Sequence, residues 1–76
     1  MAKTYSGQQI IRILVREFGF VVVSQKGSHV KLKQWGSKGD SITIVPLHRE
    51  VARGTLRGIL ELAPIDYQSF EKVIRG

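Results

Sequence analysis

Apolar residues recur three and four positions apart at Ile10, Ile11, Leu14, Val15 and Phe18, the spacing of one helix face. Ser6 and Gln9 stand just ahead of them as an S-x-x-Q capping box, in which each side chain serves the other residue's backbone N–H. Gly19 suits the end of that helix. The period then changes to two. Residues 20–26 and 30–35 alternate on either side of Gly27-Ser28, and a glycine at that place supplies the positive φ of a II′ hairpin turn. Counting outward sets Lys26 against His29, Ser24 against Lys31, Val22 against Lys33 and Phe20 against Trp35. The opposite face gathers Gln25, Val23 and Val21 with Val30, Leu32 and Gln34. This register separates an apolar face from a basic one. It predicts Val21, Val23, Val30 and Leu32 beneath the helices, with Lys26, His29, Lys31 and Lys33 facing solvent.

A polar connection over residues 35–40 leads to a third strand at 41–45, which alternates Ile42 and Ile44 against Thr43 and is ended by Pro46. Residues 47–53 read as a polar, basic loop. Thr55 is the expected cap of a second helix carrying Leu56, Ile59, Leu60 and Ala63 on one side, closed by Pro64. Asp66 then caps a short last helix with Tyr67, Phe70, Val73 and Ile74 inward. Short connections make the three strands an antiparallel meander, and amphipathic helices cover one of its faces. The expected fold is a two-layer α+β domain of order α-β-β-β-α, its C-terminal helix broken or followed by a short one.

The chain has 76 residues, enough for one domain spanning 1–76. Twelve Lys and Arg against six Asp and Glu give a net charge of +6, which favours a polyanionic partner: nucleic acid, an anionic membrane or an acidic protein. Cysteine is absent, which excludes disulfides and thiolate metal sites. The first residues lack the apolar stretch of a signal peptide, and no segment approaches the roughly 20 apolar residues of a membrane span. A soluble, cytoplasmic protein is expected. No P-loop, dinucleotide glycine pattern or spaced His/carboxylate cluster is present, so neither cofactor nor metal is expected. The scattered acids offer no carboxylate pair for glycoside hydrolysis, and Ser28 beside His29 has no orienting acid for a triad.

His29 is the leading candidate for chemistry. It lies beside a glycine turn, between Lys26 and Lys31, on the outward face. A largely neutral imidazole accepts a proton near neutral pH and is a usable general base for a ribose 2′-hydroxyl. His48 follows the third strand and is the one other histidine, read first as a solvated loop residue and second as an auxiliary acid or base. Lys26, Lys31, Lys33 and Lys38 concentrate on or beside the hairpin, and Arg49, Arg53 and Arg57 form a second basic group at the start of helix two. Phe20 and Trp35 are expected to cover a core edge, with base stacking as the alternative.

Several segments occur in a telling order: Ser6-Gly7, Phe18-Gly19-Phe20, Gln25-Lys26-Gly27-Ser28-His29, Ile44-Val45-Pro46-Leu47-His48, and Gly54-Thr55-Leu56-Arg57-Gly58-Ile59-Leu60. Together they resemble the HicA-type (YcfA-like) toxin family of toxin–antitoxin systems over nearly the whole chain. The resemblance implies a fold like a double-stranded-RNA-binding domain and an endoribonuclease that degrades messenger RNA. It makes His29 essential and implies a HicB-type antitoxin that masks it. Lys26, Gly27, Ser28, Lys31 and Lys33 are then the expected RNA-binding residues, with His48, Arg53 and Arg57 auxiliary. Many members follow the histidine with a second one or an aromatic; here Val30 and Lys31 follow. The donor of a proton to the leaving 5′-oxygen is open among water, Lys26 and His48. Beside metal-independent RNA cleavage stand two other readings, a nonenzymatic RNA-binding module and a basic protein-interaction module.

Overall fold

Helix α1 (Gly7–Phe18) starts where its capping box says. Gln9 N–H donates to the Ser6 hydroxyl oxygen at 3.1 Å, and Ser6 N–H donates to Gln9 Oε1 at 2.8 Å. Ile10 and Leu14 are fully buried, and Gly19 takes the left-handed conformation at the C-cap. These details belong to a computed structural model that describes residues 3–75. Met1, Ala2 and Gly76, counted above in a domain of 1–76, lie outside the described residues.

Strands β1 (Val21–Lys26), β2 (His29–Gln34) and β3 (Ser41–Pro46) form one antiparallel sheet in sequence order. Helix α2 (Arg53–Leu62) and α1 both pack against β3, and α3 (Tyr67–Arg75) packs against α1. The core between the layers includes Phe20, Val30, Leu32, Val45, Leu56, Ile59, Leu60 and Phe70, and the rings of Tyr5 and Phe70 meet edge to face at 5.8 Å. The result is a compact α+β fold, α-β-β-β-α-α, consistent with the arrangement of a double-stranded-RNA-binding domain.

The hairpin register holds near the turn and fails away from it. Lys26 pairs with His29, Gln25 with Val30 and Ser24 with Lys31 as counted. A bulge between Val22 and Ser24 then slips the ladder by one, so Val22 meets Leu32 and Val21 meets Lys33. Val21 and Val23, expected inside, are exposed, as is Val22. The cause is position as well as slip: β1 is an edge strand, and the helices seat on β3 at the other side of the sheet. Phe20 does not pair with Trp35. It turns into the core directly after Gly19, with its N–H donating to the Leu14 carbonyl, and is 1% exposed.

β3 buries Thr43 and Val45 and leaves Ile42 and Ile44 outside. Pairing with β2 decides this, because Thr43 and Val45 lie opposite the inward Leu32 and Val30. The Thr43 hydroxyl, buried among apolar residues, donates to the Ile59 carbonyl at 2.8 Å and so ties β3 to α2.

Thr55 does not cap α2. Val51 bridges to Tyr5, leaving Ala52 extended as the N-cap, with no side-chain hydrogen bond, and the helix starts at Arg53. Asp66 does cap α3, accepting from Ser69 N–H at 3.1 Å. Phe70 of that helix is buried, but Tyr67 is exposed because it lines an open groove between α2 and α3.

Candidate nucleic-acid interface

Gly27 has φ 59°, and among the described residues none other than glycine has positive φ, so Ser28 does not, which is the signature of the II′ turn. Gln25 Nε2 donates to the Gly27 carbonyl at 3.0 Å, and Leu47 N–H donates to the Ser28 carbonyl at 2.7 Å. The turn is therefore held from β1 and from the exit of β3. His29 follows it, exposed, with Lys26 across the hairpin and Pro46 on its other side. Its ring makes no hydrogen bond among the described residues, so no acid orients it and Ser28 has no triad.

Three cross-strand sets run across the face away from the helices: Lys26 and His29, with the buried Pro46 beyond them; Ser24, Lys31 and Ile44; Val21, Lys33 and Ile42. Successive members of one set are neighbours across the ladder, and consecutive sets stand ~7 Å apart along the strands. Lys26 and Lys31 are exposed and carry no ion pair among the described residues. Lys33 is engaged on both sides. Its Nζ lies 3.4 Å from Asp40 Oδ2 and 5.2 Å from the centre of the Trp35 ring. An anion arriving beside His29 thus meets two free ammonium groups, and a third whose charge is partly answered.

The structure brings together Lys26, Gly27, Ser28, His29, Lys31 and Lys33, as expected. His48 stands at the same end of the sheet, in the exposed exit of β3, where its carbonyl accepts from Gly7 N–H at 2.9 Å. Arg53 and Arg57 do not share the open face. They belong to the helical layer and line a groove of about 740 Å³ with Leu60, Glu61, Ile65 and Tyr67. Among the described residues no group of three or more His, Cys, Asp or Glu side chains is placed to hold a metal ion, and no helix is long and apolar enough to cross a membrane.

Two features escaped the sequence reading. Ile42 and Ile44, 44% and 42% exposed, interleave apolar surface with the lysines, and registering β3 on β2 would have found them. Trp35 was expected over a core edge and is instead 59% exposed.

An open antiparallel sheet backed by helices, with a histidine at a glycine turn amid lysines, defines a small basic α+β domain. A family model described as the HicA toxin of bacterial toxin–antitoxin systems matches residues 7–65, and the chain belongs to that family. It is the toxin member of a toxin–antitoxin pair, and an antitoxin is its partner. No curated protein matches the chain.

Proposed function

We propose that this toxin is a metal-independent endoribonuclease acting on messenger RNA in the cytoplasm, with His29 as general base. The observation that carries this reading is the exposed imidazole at a braced turn, with Lys26 directly across the hairpin and Lys31 next along the same face. His29 takes the proton of a ribose 2′-hydroxyl. The 2′-oxygen attacks the adjacent phosphorus, the bond from phosphorus to the 5′-oxygen breaks, and that oxygen leaves with a proton from water, Lys26 or His48. The products are a 2′,3′-cyclic phosphate and a 5′-hydroxyl, with no cofactor consumed. Lys26 and Lys31 stabilise the charge that grows on the phosphoryl oxygens. Gly27 and Ser28 keep the turn narrow enough for the RNA backbone to reach the ring, and Lys33 holds a neighbouring phosphate.

A HicB-type antitoxin would then inhibit by covering His29. The interleaved Ile42 and Ile44 support protein docking on this face, since half-exposed aliphatic side chains among lysines serve a protein surface better than a phosphate backbone.

The test is incubation of the purified chain with RNA in EDTA, followed by analysis of the fragment ends. Cyclic phosphates opposite 5′-hydroxyls are expected. Bound but intact RNA would make the chain a nonenzymatic binding module instead.

A further inference from the structure

We infer that Trp35 is a base-stacking residue and that the substrate it grips is single-stranded RNA. The inference rests on reading the open sheet face as an RNA surface, and adds to it a recognition residue remote from the reacting bond. Trp35 is 59% exposed, more than any other aromatic side chain described, so it does not act as a lid on the core. An indole so exposed, with only the Lys33 ammonium over its ring, lacks a core-packing reason. Its location is fixed by Lys33, which stands in the outward set with Val21 and Ile42 and carries its ammonium 5.2 Å from the ring centre. The indole therefore ends the same face that His29 begins, six residues and ~20 Å further along the chain.

Lys33 has a second tie, to Asp40 at 3.4 Å. Asp40 and the ring together hold the ammonium at the end of the sheet, where a phosphate can compete for it while the attached base settles on the indole. Every base has a π face, so such a platform binds without choosing sequence. It does choose strandedness. Bases within a duplex are stacked on one another and offer only shape and backbone, whereas an unpaired base can splay onto an aromatic ring. Because the contact is made equally in ground and transition states, it belongs in KM rather than kcat.

Trp35 is the chain's single tryptophan, so its emission reports the contact directly. The His29→Ala chain, expected to bind without cutting, is titrated with a 12-residue oligouridine, with duplex RNA of equal length, and with inorganic polyphosphate. Saturable quenching by the oligouridine, and little by the other two, is expected. In polarisation with labelled oligouridine, Trp35→Ala should weaken binding roughly 5–100-fold, and Trp35→Phe should recover most of the loss. In the cutting enzyme, Trp35→Ala should raise KM with little change in kcat. Equal quenching by polyphosphate, or unchanged affinity in Trp35→Ala, would overturn the stacking role while leaving the RNA reading intact. Absence of binding to every RNA tested would overturn both.

Discussion

Gly7 sits against Pro46 so closely that a methyl group on its Cα would overlap the Pro46 carbonyl oxygen and lie 2.9 Å from its carbon. The Gly7 N–H donates to the His48 carbonyl two residues on, and Pro46 is the ladder partner of His29. The first turn of α1 is thereby keyed into the stretch of β3 that backs the candidate base. Gly7→Ala sets two effects against each other. Alanine favours a helix by ~1 kcal/mol over glycine, but overpacking a rigid backbone contact costs about 1–3 kcal/mol or more. The contact is backbone against backbone, with no flexible side chain to give way, so net destabilisation is expected in chemical denaturation. A variant as stable as the parent would contradict the close packing.

Thr43→Val keeps shape while removing the hydroxyl that joins β3 to α2. The Ile59 carbonyl retains the Ala63 N–H at 3.1 Å and is not stranded. A loss of about 0.5–1.5 kcal/mol is expected, and Thr43→Ala should lose more because it also opens a cavity.

Asp66 gives a pH test of the α3 cap. The Ser69 hydroxyl first, and then the Ser69 N–H, bond to its carboxylate and hold its pKa below the ordinary 3.8. A carboxyl depressed on folding stabilises the folded chain above its unfolded pKa, and that contribution fades as pH falls through the lowered folded value. A carboxyl titration followed by NMR should place the Asp66 midpoint below 3.8, and Ser69→Ala should move it upward.

Salt dependence measures which basic groups touch RNA. The open face offers Lys26, Lys31 and Lys33, which predicts that log affinity for a single strand falls with log salt at a slope of about −2. A slope of about −3.5 would mean that Arg53 and Arg57 of the helical layer also take part. A slope near zero would contradict a phosphate-binding face.

What the sequence makes legible here is what local rules govern. The capping box at Ser6 and Gln9, the left-handed Gly19, the turn at Gly27 and the in-out alternation of β2 each depend on a few neighbouring residues. The turn alone was enough to place His29 and its flanking lysines correctly. The errors arise where distant parts decide. Whether Val21 and Val23 are covered depends on which strands the helices sit upon, and they sit on β3. The bulge at β1 is tolerated because that edge is uncovered. Ala52 rather than Thr55 starts α2 because Val51 is caught by Tyr5, 46 residues earlier in the chain. Ile42 and Ile44 look like core residues until their pairing with Lys33 and Lys31 turns them outward.

The central claim is that His29 performs proton transfer and does little else. The direct test compares the parent chain with His29→Ala for thermal unfolding, RNA affinity and cleavage in EDTA on the same preparations. His29 is exposed and makes no hydrogen bond among the described residues, so stability should change by about 0.5 kcal/mol or less. Lys26, Lys31 and Lys33 should keep most of the affinity, while cleavage falls roughly 10²–10⁴-fold. A folded, RNA-binding variant that cleaves at the parent rate would contradict the account.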